Sequence, residues 1–243
     1  MFERSRDGSG GSEGAPGNFA GVCFDLYSTL IHESPDNPFY AQVAGSLGLD
    51  FARWLPAYRG RGADAMSGRL AGMAERVLAA AVDVGSPRPA EEVRAAVARA
   101  FPRFVDSVTA DPQAWPLLTL LRDRGVRLAL VSNASAYSED VLDHLGLREV
   151  FDSVVLSYRV GLLKPEPGIY RLALAELGLA AADCAFVGDG GDRELRGARA
   201  VGLRTVLVDR GLAHSPDAAA DADAVVRELA GVRELVLGTR LGA

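Results

Sequence analysis

The sequence predicts an α/β protein: a doubly wound, Rossmann-like parallel sheet that carries an all-helical module. Three observations lead there. Short apolar runs recur at 126–132, 154–157, 184–188 and 204–209. Helical patterns between them stop at Gly125, Gly146, Gly178 and Gly202, the residue type that accepts the left-handed turn closing a helix. The runs are spaced by about 20 to 30 residues, room for one helical crossover each. Strand, helix, glycine, strand is the grammar of βαβ units around a sheet covered on both faces.

Taken in order, residues 1–18 are rich in Gly, Ser and charge, lack the apolar stretch of a secretory signal, and are expected to be a disordered tail. A first strand is expected at 21–25. Its continuation arrives only at 126, because 35–111 reads as helical, with segments at 39–47, 51–58, 63–82 and 90–108. The breaker pairs Ser34-Pro35 and Asp111-Pro112 bound this block. The division is therefore a core of 19–34 plus 112–243 and a helical module of 35–111. Sites in open α/β sheets lie at the carboxyl ends of the strands, so an insert leaving from there is expected to act as a cap over the site.

Composition excludes several classes. The 243 residues carry a net charge of −6, with 26 basic groups scattered rather than striped, which argues against nucleic-acid binding. No apolar run approaches the roughly 20 residues of a membrane span. Cys23 and Cys184 each sit in an apolar run, as buried free thiols of a cytoplasmic protein do. Zinc-type spacing of His and Cys is absent from the sequence.

Chemistry-bearing residues gather at the predicted strand ends. Asp25 closes the first strand and opens Asp25-Leu26-Tyr27-Ser28-Thr29-Leu30, a turn able to present backbone N–H groups to an anion. By itself Asp25 reads equally well as a turn cap. The second strand ends in Ser132-Asn133, Lys164 precedes Pro165-Glu166-Pro167, and the fourth run enters Gly188-Asp189-Gly190-Gly191-Asp192-Arg193-Glu194. Lys164 is the one lysine beside 25 arginines. In so Arg-biased a sequence, a retained lysine marks a place where a compact ammonium cannot be replaced by a planar guanidinium.

These four motifs in order resemble those of the haloacid dehalogenase superfamily of hydrolases with a helical cap after the first motif, over about residues 20–210. The resemblance implies that Asp25 is a nucleophile forming a covalent aspartyl intermediate. It also implies that Ser132 binds the transferring group and that Lys164 neutralises that group and orients Asp25. Tyr27 and Thr29 of the first motif and Asn133 beside Ser132 complete the expected catalytic set. Asp189 and Glu194 would support Mg²⁺ with Asp25 and, through its backbone carbonyl, Tyr27.

Two departures leave the activity open. Phosphatases of the superfamily have Asp-x-Asp in the first motif, the second acid protonating the leaving group, whereas position 27 is Tyr. Such a general acid contributes roughly 10²- to 10⁴-fold, so its loss points to good leaving groups or to another donor among Tyr27, His32, Glu33 and the cap. Asp-x-Tyr is instead how 2-haloacid dehalogenases begin, and they need no metal. The acids of the fourth motif favour the phosphatase, with Asp192 as a substitute ligand for Glu194. The expected function is thus a Mg²⁺-dependent, cytoplasmic phosphatase of a small anionic metabolite. A dehalogenase and a degenerate ligand-binding member are the alternatives. The superfamily's phosphonate-cleaving branch uses a cap lysine, which this insert lacks. Arg53, Arg59 and Arg61, with Trp54 and Tyr58, are the insert's candidates for substrate contact, although helical arginines commonly face solvent.

Overall fold

The computed structural model describes residues 18–211 and 217–238; the expected tail at 1–18 lies outside them but for Asn18. Among the described residues, β1 (Gly21–Phe24), β4 (Arg127–Ser132), β5 (Ser153–Leu156), β6 (Cys184–Gly188), β7 (Arg204–Val208) and β8 (Ala224–Val226) form a six-stranded sheet in the order β5-β4-β1-β6-β7-β8. Every neighbouring pair is parallel. All residues of β1 and β6 are buried, as a sheet covered on both faces demands. The helices α6 (Ala114–Asp123), α7 (Ser138–His144), α8 (Ser157–Val160), α9 (Pro167–Leu177), α10 (Glu194–Ala200), α11 (Ala218–Asp221) and α12 (Val232–Leu237) complete the core.

The glycines behave as expected. Gly125, Gly146, Gly178 and Gly202 all have positive φ where the chain leaves a helix or helical turn. Cys23 and Cys184 are free and buried. No helix among the described residues is long and apolar enough to cross a membrane.

The insert departs from expectation in two places. First, the chain leaves and returns through an antiparallel ribbon, β2 (Ile31–Glu33) with β3 (Val108–Ala110), in which His32 faces Thr109. The helix expected to reach 108 ends at Asp106 because those residues are needed for pairing. Second, the helix expected at 63–82 is two helices. The insert comprises α1 (Pro38–Ser46), α2 (Phe51–Gly60), α3 (Gly62–Met66), α4 (Met73–Asp83) and α5 (Ala90–Asp106). The break between α3 and α4 falls at Gly68, whose φ is +77° and where a Cβ would overlap the Tyr158 carbonyl. Close approach to the core therefore outweighs the helical pattern on either side.

Phe39, Trp54, Tyr58 and Phe104 fill the insert, and their cluster continues through Leu26 and Leu30 to Val22 and Phe24 on one face of the sheet. The opposite face is covered by α9 and α10, where Ile169, Tyr170 and Leu195 pack on Cys23 and Phe186.

Candidate active site

Strand register assembles the site. Phe24 stands opposite Leu130 on one side and Val187 on the other, so Asp25, Ser132 and Asp189 all emerge at the carboxyl edge within a residue or two of one level. The sequence order of the strands reverses about β1, the switch point where α/β sheets open a crevice. The Asp25 N–H donates to the Val187 carbonyl at 2.9 Å, which fixes the backbone of the acid.

Lys164 reaches this edge from the loop before α9. Its Nζ lies 2.5 Å from Asp25 Oδ1 and 2.5 Å from Glu194 Oε2, with all three side chains nearly inaccessible. Asn133 explains the placement: its Oδ1 accepts from the Lys164 N–H at 2.8 Å and its Nδ2 donates to the Lys164 carbonyl at 3.0 Å. That amide therefore works on the backbone that carries the ammonium. Ser132 is buried at the end of β4. Gly188 has no Cβ where one would overlap the Glu194 carboxylate, and Glu194 Oε1 also accepts from the Gly190 N–H at 3.0 Å.

Carboxylate oxygens of Asp25, Asp189 and Glu194 lie within 4.8 Å of one another. One ammonium is shared by two of these acids. Burial disfavours the charge on Lys164, but Asp25 and Glu194 outweigh it and hold the pKa above the ordinary lysine value. Burial pushes the Asp25 carboxyl up; Lys164 opposes that shift and Asp189 adds to it. Glu194 is raised in the same way, by burial against the pull of Lys164, with Asp25 and Asp189 adding to the rise. A compact set of carboxylate oxygen donors suits a hard divalent cation such as Mg²⁺. The residues present therefore fit the ion.

Other expected residues take different places. Asp192 accepts from Asn133 Nδ2 at 2.8 Å, on the exposed rim and outside the acid cluster, so the geometry joins Glu194 rather than Asp192 to Asp25. The Tyr27 hydroxyl pairs with Ser138 Oγ at 3.1 Å, and burial beside Tyr137 pushes its pKa far up. The turn's own hydrogen bonds are accepted by Leu26 and Ile31 rather than by the Tyr27 carbonyl. His32 is turned to Asp111 at 3.4 Å, while Glu33 accepts from Asn37 and Tyr40. The Thr29 hydroxyl is buried without a partner.

Two of the insert's three candidate arginines have other partners. Arg53 donates to the Val84 carbonyl and Arg61 pairs with Asp64 and Asp83, while Trp54 and Tyr58 are buried in the hydrophobic core. Helix α3 lines a cavity there instead. A cavity of about 470 Å³ beside Asn133 and Lys164 is walled by Ala63 and Met66, with Arg193 at its edge. The Met66 carbonyl accepts from Ser157 Oγ at 2.6 Å, which pins α3 to the core. Sequence patterning did not single out Arg210, Asp111 or Ser138. Arg210 had one available signal, its position just past the carboxyl end of β7.

Fold and site agree with a hydrolase built on a parallel sheet, and the chain belongs to the haloacid dehalogenase-like hydrolase family, whose model matches residues 19–202. Among known proteins it is similar to a phosphoserine phosphatase of Thermus thermophilus, 35% identical over 79% of this chain and 76% of the relative. Two solved structures share the fold. A HAD phosphatase from Thermococcus onnurineus matches with TM-score 0.68 at 24% identity, over 91% of this chain and 99% of the other. A 2-haloacid dehalogenase from Pseudomonas syringae pv. Tomato matches with TM-score 0.67 at 23% identity, over 90% and 98%.

Proposed function

We propose that the chain is a Mg²⁺-dependent phosphatase of a small organic phosphate. The observation that carries this reading is the gathering of Asp189 and Glu194 around Asp25, with Lys164 between two of the three acids. The similarity to a phosphoserine phosphatase supports the same reaction class.

Asp25 attacks phosphorus in line: an aspartyl oxygen–phosphorus bond forms while the bond to the leaving oxygen breaks. Water then attacks the aspartyl phosphate, releasing inorganic phosphate and restoring the carboxylate. Lys164 sets one Asp25 oxygen and, with Ser132, offers positive charge and a hydroxyl to the transferring oxygens. Asp25, Asp189, Glu194 and the Tyr27 carbonyl would hold Mg²⁺, which would supply positive charge to the transferring group. Asn133 keeps the ammonium in register through the Lys164 backbone. Glu33, His32 and the Tyr27 hydroxyl are engaged with other partners, so substrates with good leaving groups, such as acyl or aryl phosphates, are favoured. Buried free thiols at Cys23 and Cys184 support a cytoplasmic setting.

Tyr27 favours a second reading, metal-independent 2-haloacid dehalogenation with Asp25 attacking carbon, since halide leaves unprotonated. The test is release of phosphate and of halide from a mixed panel, with and without Mg²⁺, alongside Asp25→Asn. Phosphate release lost on chelation and in the variant supports the phosphatase. Halide release without metal contradicts it. Tight binding of phosphorylated ligands without turnover would identify a degenerate member.

A further inference from the structure

We propose that Arg210, on the loop after β7, is a positioning residue that aims the anion-binding turn behind Asp25. The inference rests on reading that turn as an anion cradle. Arg210 Nη1 donates to the Ser28 carbonyl at 2.5 Å, and Nη2 donates to the Thr29 carbonyl at 3.1 Å and to Asp111 Oδ2 at 2.7 Å. Its side chain is only 19% exposed. One guanidinium fork thus spans two consecutive carbonyls and a carboxylate, a geometry a lysine cannot reproduce.

The peptide planes show what this accomplishes. In a trans peptide the carbonyl and the following N–H point in opposite directions. Holding the Ser28 carbonyl therefore directs the Thr29 N–H to the face away from Arg210. The next plane is held at both ends, by Arg210 on the Thr29 carbonyl and by the Leu30 N–H on the Leu26 carbonyl at 2.8 Å. Ser28, which leads into the first of these planes, has φ +60°, a left-handed conformation that a non-glycine residue keeps only where its surroundings enforce it. The turn bonds the N–H groups of Ser28, Leu30 and Ile31 internally and does not use that of Thr29. The buried Thr29 hydroxyl is also unpartnered. Thr29, four residues after Asp25, is wholly buried with both donors inside the turn, and Arg210 sets the plane of one.

Asp111 anchors the clamp. Its N–H donates to the Leu30 carbonyl at 2.8 Å, its Oδ1 accepts from the Gln113 N–H at 2.8 Å, and it stands where the chain returns from the insert. Arg210 and Asp111 therefore tie the reactive turn to the insert's return strand.

The experiment compares the wild-type holoenzyme with Arg210→Met, Arg210→Lys, Asp111→Asn and the Arg210→Met/Asp111→Asn double variant. Inorganic phosphate is titrated calorimetrically with Mg²⁺ present, and circular dichroism checks the fold. Arg210→Met is expected to weaken phosphate about 10-fold, and to lower kcat about 10- to 100-fold with a smaller change in KM. Added guanidinium restores part of the loss and Arg210→Lys does not. The double variant loses no more than Arg210→Met, because both residues act through one clamp. Unchanged phosphate affinity in folded Arg210→Met, full recovery in Arg210→Lys, or a wild type that binds no phosphate would overturn the proposal. Should Arg210→Met not fold, Asp111→Asn decides: a loss of affinity at unchanged melting temperature supports the clamp, and none refutes it. A wild type that binds phosphate yet hydrolyses no phosphate ester defeats the phosphatase reading alone, and the binding comparison still judges Arg210.

Discussion

Replacing Lys164 by Met should destabilise the protein strongly, whereas replacing Asp25 by Asn should not. The Lys164 ammonium is 2% exposed and contacts two carboxylates at 2.5 Å each, with Asp189 completing the acid cluster. Removing it takes from Asp25 and Glu194 the ammonium they share, and breaking a buried ion pair from one side costs about 3–5 kcal/mol. For a chain of this size about 2–4 °C of melting temperature accompanies each kcal/mol, so Lys164→Met is expected to melt roughly 6–20 °C lower. Asp25→Asn has the opposite character. The folded state already disfavours the Asp25 charge, since burial pushes its pKa up, and Lys164 keeps Glu194 as a partner. That variant is expected at or above the wild-type melting temperature. Thermal denaturation in EDTA at neutral pH measures both. A Lys164→Met protein as stable as wild type, or an Asp25→Asn protein as weakened as Lys164→Met, would refute the charge accounting.

Three further outcomes follow from the same geometry. Glu194 has a folded pKa raised by burial, so its contribution to stability is present below the ordinary carboxylate range and lost as pH rises through the raised value. Without metal, the melting temperature should fall on that rise, and Mg²⁺ should restore more at higher pH as protons cease to compete for the acids; a Mg²⁺ increment independent of pH would count against Glu194 as a ligand. Tyr27→Asp should raise turnover on alkyl phosphates more than on aryl phosphates, because only the poorer leaving group needs an acid; equal gains in steady-state assays would remove the leaving-group argument. Burial pushes the Cys184 thiol up to about 11 and Cys23 higher still, so neither should react with a thiol reagent at mildly alkaline pH until the protein is denatured; stoichiometric labelling of the native protein would contradict that burial.

The parallel sheet was legible because its signals are local. Gly178 ends a helix that Pro167 starts, and 184–188 is an unbroken apolar run. The site was legible because strand ends converge by topology, which brings Asp25, Ser132, Lys164 and Asp189 to one edge without further information. What escaped depends on tertiary contact. Residues 108–110 extend because β2 lies beside them, not because of their own pattern. Helices α3 and α4 separate where Gly68 meets the Tyr158 carbonyl. The insert's Arg61 was a candidate for substrate contact, but Asp64 and Asp83 claim it, and charge pairing across helices has no sequence signature. The departure at Tyr27 was visible from the start. The structure adds its partner, Ser138, and with it the reason this half-buried phenol, held to a serine and with its pKa raised, is a poor substitute for a carboxylic acid.

As the proposed phosphatase turns over, Asp25 should become phosphorylated. Acid-quenching the Mg²⁺-loaded protein in the presence of an acyl or aryl phosphate, digesting it, and weighing the peptide that contains Asp25 tests this directly. A phosphoryl group is expected on that carboxylate in the wild type and none in Asp25→Asn. Steady release of phosphate with no phosphoryl group on that peptide, or release that persists in Asp25→Asn, would contradict it.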